Sequence, residues 1–336
     1  MRCPLLVISL LSCLAARPAP AQQGPTRKPG ARGQPVCDEA QSKQPFPLAS
    51  MKLPPLPDLP ALTRRDDGVF FGEVEVKWPR GTSKLWIYLP DSDNLPKSLP
   101  CVLVPPAGSN LLFGMDLGDG DRDEHLPYCK QGFAVIAFEI EGVMPVEDQQ
   151  SDANVLRQMR RFLDCEAGLQ DARLALEYAL AKVPAIDPKR IFCAGHSSAG
   201  TLALLFAAHE PRLRGCAAFA PIADVEQRIP DDAEQQIEQD FAGYRNFLVR
   251  GSPVTHLARI TAPLFVFAAE DDSNVPFADT KTFVERLRKA RKTVEFDTVP
   301  TGDHYQPMID SGIPQAIAWM QALCAKGARP DAPKKQ

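Results

Sequence analysis

The sequence has no CxxC pair, and no cluster of cysteine and histidine suggests a structural zinc. No apolar run approaches the ~20 residues that a helix needs to cross a bilayer. Positive charge is not in excess: 38 Lys and Arg stand against 42 Asp and Glu, for a net charge of −4. No extended basic face is implied, and nucleic acid is not an expected partner. A phosphate-cradling glycine loop is missing too, because Gly114, Gly118 and Gly120 do not follow a strand. The carboxylates of Asp119-Gly120-Asp121-Arg122-Asp123 alternate as in a calcium loop. Glu124 and Lys130, however, stand where that loop needs glycine and a bidentate glutamate. Neither metal nor cofactor is expected.

What is present is a globular balance, 44% apolar and 24% charged. At the N-terminus Arg2, the apolar stretch Leu5 to Leu14 and the small residues of Ala19-Pro20-Ala21 read as an export signal over residues 1–21. The expected location is therefore periplasmic or extracellular. Leu10-Leu11-Ser12-Cys13 fits a lipoprotein box poorly, because Leu11 is out of place there. Residues 22–65, rich in Pro, Gln, Ala and Lys, read as a disordered tether, and 326–336 as a disordered tail. Of the nine cysteines, Cys101, Cys193 and Cys216 lie in apolar runs and are expected as small core hydrophobes. Cys37, Cys129, Cys165 and Cys324 are free to oxidise in an exporting compartment, with no pairing implied by the sequence.

From about residue 66 to 325, strand-like runs alternate with helical ones. Val69–Lys77 and Lys84–Leu89 alternate polar and apolar residues, as antiparallel edge strands do. Cys101–Val104, Phe133–Phe138, Ile191–Ala194, Cys216–Phe219, Leu264–Ala268 and Val294–Val299 are nearly continuous in apolar residues, as strands covered on both faces must be. One long helix is expected from about Asp152 to Ala181, with further helices over Ser198–Ala208, Thr280–Ala290 and Pro314–Leu323. The alternation predicts an α/β fold: a mostly parallel, doubly wound sheet with helices on both faces. Residues 223–252 are acidic and Gln-rich, break the rhythm, and are expected to form a small lid.

Gly195-His196-Ser197-Ser198-Ala199-Gly200 lies between an apolar strand and an apolar helix. A serine on so tight a turn is strained and lifts its hydroxyl above the sheet, and strand and helix pass so close that small residues must flank it. Ser197 is the expected nucleophile. The register centred on Ser198 lacks the small residue two positions upstream. A serine hydroxyl needs a base, and the base needs a carboxylate. Among five histidines, His304 fits the base: it follows the strand Val294–Val299 in a loop ahead of the last helix. The strand Leu264–Ala268 empties into Glu270, Asp271 and Asp272, any of which could orient it. The oxyanion of an acyl-transfer intermediate needs N–H donors. The backbone of Ser198 supplies one, and Ala107 or Gly108, in the loop after Cys101–Val104, the other.

Over residues 66–325 these motifs resemble the prolyl-oligopeptidase-like branch of the α/β-hydrolases. The likeness is carried by Ile186-Asp187-Pro188-Lys189-Arg190-Ile191, by Ser252-Pro253-Val254-Thr255-His256-Leu257, by Asp272-Ser273-Asn274-Val275-Pro276 and by Gly302-Asp303-His304. It implies a catalytic triad of Ser197, Asp272 and His304. The implied activity is hydrolysis of an ester or amide through an acyl-enzyme, on a short peptide or a small-molecule ester. Two features differ from that branch: the residues before the domain are too few for a β-propeller, and Pro105–Asn110 lacks a tyrosine for the oxyanion loop.

Overall fold

The computed structural model describes residues 43–326, apart from 79–80, 93–94, 110 and 146–150. The expected signal segment, the first part of the tether, Cys37 and residues 327–336 lie outside the described residues.

A nine-stranded sheet forms the centre, in the order β1-β2-β3-β5-β4-β6-β7-β8-β9. Three strands make its antiparallel edge: β1 (Thr63–Arg64), β2 (Val69–Trp78) and β3 (Gly81–Pro90). The parallel part comprises β4 (Leu99–Val104), β5 (Ala134–Phe138), β6 (Ile186–His196), β7 (Gly215–Phe219), β8 (Leu264–Ala269) and β9 (Val294–Val299). Every residue of β5, β7 and β8 is buried, as apolar runs covered from both sides require. The doubly wound α/β architecture expected from the sequence is therefore the one observed.

Nine helices are described around it. They are α1 (Arg122–Lys130), α2 (Asp152–Asp164), α3 (Leu169–Lys182), α4 (Ser198–His209), α5 (Val225–Arg228), α6 (Asp231–Asp240), α7 (Tyr244–Gly251), α8 (Phe277–Lys289) and α9 (Ile313–Ala325). The single helix expected over 152–181 is two. Glu166, Ala167 and Gly168 all take positive φ, with Gly168 at +85°, and the chain turns there before α3 begins. A side chain at Gly168 would also meet Leu202 at 2.8 Å.

Residues 43–65 depart from the expected tether. Phe46 and Leu48 are buried, and the Phe46 N–H donates to His209 Nε2 over 3.1 Å. Further on, Leu56, Leu59 and Leu62 pack against the main core, and Lys182 pairs with Asp58. The physical reason is a spacing of three: prolines hold an extended, three-per-turn backbone, on which every third residue shares one face. Cys129 and Cys165 are buried with free thiols rather than paired, like the core cysteines 101, 193 and 216.

The insertion between β7 and β8 carries α5, α6 and α7. Val225, Ile229, Phe241, Tyr244 and Leu248 join Val155 and Met159 of α2 in a separate apolar cluster. Arg160 stacks on Phe241 at 4.5 Å, and Arg228 donates to the Asn274 side chain over 2.8 Å. This insertion therefore touches the loop that follows β8, at the carboxyl edge of the sheet where α/β folds place their sites.

Candidate active site

Ser197 sits between β6 and α4 with φ 54° and ψ −121°, a conformation that a non-glycine residue rarely adopts. Its N–H donates to the Phe219 carbonyl over 2.8 Å, and its carbonyl accepts from the Thr201 N–H over 3.0 Å. Those two bonds hold the turn. At Gly195 a Cβ would stand 2.4 Å from the Ala199 carbonyl oxygen, so glycine is required by the strand–helix approach itself. Ala199, where the motif has its last glycine, fits without displacing the helix.

Of the three carboxylates after β8, the buried one is Asp272. Its Oδ2 accepts from His304 Nδ1 over 2.8 Å, and its Oδ1 accepts from the N–H groups of Asn274 and Val275. Asp271 is exposed and does something else: its oxygens accept from the N–H groups of Gly302 and Asp303, bracing the loop that carries the histidine. Asp303 closes this loop from the other side by accepting from the backbone and hydroxyl of Ser273, which hold its carboxyl below the usual range. Glu270 is exposed and directs no side-chain bond at His304. With Nδ1–H given to Asp272, His304 Nε2 carries the lone pair. That atom is buried and has no hydrogen-bond partner among the described residues.

His196, in the elbow itself, makes a directed bond. Its Nε2–H donates to the His304 carbonyl over 2.9 Å, and the two rings lie 4.4 Å apart. Glu124 of α1 stands behind it, with Oε1 4.0 Å from His196 Nδ1. Burial, reinforced by Asp121 and Asp123, raises Glu124 to about 8; burial and the neighbouring His304 lower His196 to about 4. The pair is neutral near pH 7. Sequence offered no signal for this, beyond a histidine immediately before the nucleophile position and an acidic run in α1.

The expected oxyanion donors lie on two segments. Ser198 opens α4, while Ala107 and Gly108 (φ +98°) follow β4. None of their N–H groups enters a backbone hydrogen bond outside helices and strands among the described residues. Ser109, next in that loop, and Ser198 both line a small apolar cavity of about 30 Å³, room for a single water molecule. Its walls come from Leu202 and Leu205 of α4, Phe162 of α2 and Phe247 of α7. The Ser198 hydroxyl is buried and unpartnered among the described residues. The remaining histidines are structural. His125 is fully buried against Trp86 and Tyr88, and His209 and His256 bond main-chain carbonyls.

Comparison with known proteins follows this geometry. The model of the prolyl oligopeptidase family matches residues 125–326. No curated protein matches the chain. Among solved structures, an acetyl xylan esterase from Paenibacillus sp. R4 superposes with a TM-score of 0.58 at 17% identity, over 87% of this chain and 96% of that one. The Pyrococcus horikoshii acylaminoacyl peptidase gives 0.60 at 15% identity, over 79% of this chain but only 43% of its own. Acetyl xylan esterase 1 from Thermoanaerobacterium sp. JW/SL YS485 gives 0.55 at 18% identity, over 78% and 87%. At these identities the likeness is one of fold.

Proposed function

Because the chain belongs to the prolyl oligopeptidase family, we propose that it is a serine hydrolase that cleaves an ester or amide bond through an acyl-enzyme on Ser197. The observation that carries this reading is the Asp272–His304 bond of 2.8 Å, with Nε2 left unengaged and the His304 ring 4.4 Å from that of His196, the residue before Ser197. Ser197 Oγ attacks the substrate carbonyl while His304 Nε2 takes its proton, and Asp272 holds the imidazolium that forms. The tetrahedral oxygen accepts from the Ser198 N–H and from Ala107 or Gly108. Collapse expels the alcohol or amine, which leaves with the proton from Nε2. Water then attacks the acyl-enzyme with His304 again as base, releasing the acid and freeing Ser197.

A carboxylesterase reading on small esters has its own support. No β-propeller is present among the described residues, and the chain spans under half of the acylaminoacyl peptidase it resembles. Export, read from residues 1–21, belongs to this proposal on sequence grounds alone. A fluorophosphonate probe is expected to label Ser197 and to spare the Ser197→Ala variant, which keeps its fold and loses turnover. Full activity in that variant would overturn the assignment. Short acyl esters assayed beside proline-containing peptides separate esterase from peptidase.

A further inference from the structure

On the side of the base, the site is walled by Tyr305 and the first turn of α1. The Tyr305 ring meets the His196 ring edge-on at 5.7 Å, and Glu124 Oε1 stands 4.0 Å from Nδ1 of the same histidine. Tyr305 is 42% exposed. Burial and, after it, Glu124, Asp123 and Asp121 push its hydroxyl up to about 12, so three carboxylates stand within electrostatic reach of it. Glu124 is nine-tenths buried, at 7% side-chain exposure, yet it has no hydrogen-bond partner among the described residues. Asp123 is exposed, and no lysine or arginine pairs with it or with Glu124 among the described residues. Asp121 accepts the Gly118 N–H. The cation of that turn, Arg122, is engaged elsewhere: its guanidinium lies 4.1 Å over the Trp86 ring and donates to Asp119 and the Tyr88 hydroxyl. An open aromatic ring and carboxylates without a counter-charge thus stand together beside His304.

We propose that this wall selects a cationic leaving group, the amino alcohol or quaternary ammonium alcohol of an ester, with its charge over Tyr305 and against Glu124 and Asp123. The inference rests on the acyl-enzyme reading above. In that reading the leaving group takes its proton from His304 Nε2, so it departs past the residues packed beside His304. His196, whose ring lies 4.4 Å from that of His304, joins the base to this wall. The chemistry favours a cation over a neutral group. A ring face attracts positive charge, and a carboxylate that lacks a partner is stabilised by it. A sugar needs donors as well as acceptors, and apart from the Tyr305 hydroxyl these side chains offer acceptors. Once bound, the cation also favours the ionised form of Glu124, which burial otherwise keeps protonated.

The test compares acetylthiocholine with its neutral isostere, in which a tert-butyl group replaces the trimethylammonium, on the full chain. The two share an acyl group and a shape, so the ratio of their kcat/KM values reads the charge. The wild type is expected to favour the cation about tenfold, with the difference on KM. Tyr305→Ala removes the ring and should bring the ratio close to one, whereas Tyr305→Phe keeps the ring and should retain most of the preference. Asp123→Lys, at an exposed position, should invert the ratio. Should Tyr305→Ala not fold, Asp123→Lys decides alone. Where neither thioester turns over, the rates at which a thiocholine phosphonate and its tert-butyl counterpart modify Ser197 give the same ratio. A wild-type ratio near one, or a ratio that neither Tyr305→Ala nor Asp123→Lys moves, overturns the inference. Fluorophosphonate labelling of Ser197 keeps the two levels apart: labelling with a ratio near one refutes the subsite only, and no labelling refutes the hydrolase reading beneath it.

Discussion

His196 donates its Nε2–H to the main-chain carbonyl of His304 across 2.9 Å. The residue before the elbow serine thus holds the backbone of the residue that bears the base, although the two are far apart in sequence. His304 is thereby tied through its main chain to the residue beside Ser197, in addition to the Asp272 contact at its imidazole. The arrangement requires His196 to be neutral. A second charge 4.4 Å from the His304 ring would oppose the imidazolium that acyl transfer demands, and burial keeps His196 uncharged.

Removing that donor should therefore misplace the base without emptying the site. His196→Ala is expected to lower kcat by about 10-fold to 100-fold with KM nearly unchanged, the cost of a displacement on the order of 1 Å. His196→Gln, whose amide N–H reaches a similar distance, is expected to recover most of the loss. Steady-state kinetics on both variants decides it; equal losses would mean that the ring's bulk matters and its bond does not.

The three carboxylates after β8 should separate by function. Asp272→Asn keeps the shape but loses the acceptor that fixes the His304 tautomer, and kcat is expected to fall about 10⁴-fold. Asp271→Asn retains one acceptor for the Gly302 and Asp303 N–H groups and should cost far less, with the loss visible as loop mobility. Glu270→Gln should be silent. Measuring kcat for the three variants in one assay checks the ranking.

Much of this site was legible in the sequence because its parts sit at strand ends. The apolar runs that became β6, β8 and β9 each empty into a short polar loop, and Ser197, Asp272 and His304 occupy those loops. Choosing Asp272 over Asp271 needed the family resemblance, since composition makes the two alike and only burial tells them apart. The strap around Phe46 was hidden by its prolines, which argue equally for a free tether and for an extended segment pressed on a core. Its Leu56, Leu59 and Leu62 spacing was the available clue. The bond from His196 could not be read at all, because its acceptor is a main-chain carbonyl that only the fold brings near.

Acid should weaken the fold through its buried histidines. Burial lowers His125 to about 3 and His196 and His209 to about 4, and it lowers His256 as well. In the unfolded chain each titrates near 6.5, so between that value and about 4 the unfolded state binds more protons. Stability present above pH 6.5 is thus expected to fall steadily toward pH 4. Chemical denaturation across that range measures it, and a flat profile would contradict the neutral, buried imidazoles.

Glu124 should act in the opposite direction. Its folded value of about 8 exceeds the ordinary 4.5, so the native state holds the extra proton between them. Stability present below pH 4.5 from this group is lost as pH rises through about 8. Glu124→Gln mimics the protonated form and is expected to gain relative stability on the alkaline side, with little difference near pH 5. Melting temperatures of the two proteins at pH 5 and pH 9 make the comparison; parallel shifts would place the Glu124 carboxylate in solvent.

The elbow itself can be tested at the residue with no room to spare. In Gly195→Ala the new Cβ meets the Ala199 carbonyl oxygen at 2.4 Å and its carbon at 2.5 Å, both backbone atoms of the helix that follows Ser197. Neither can swing aside as a side chain would, so α4 must shift away from β6. The expected cost is about 1–3 kcal/mol of stability, with activity lost further because Ser197 moves with the helix. Ala199→Gly, by contrast, restores the usual motif and should cost only about 1 kcal/mol of helix propensity, leaving turnover close to wild type. Denaturation midpoints and kcat for the pair separate a steric demand of the turn from a mere preference for small residues: if both variants behave alike, the close approach of strand and helix is not what fixes Gly195.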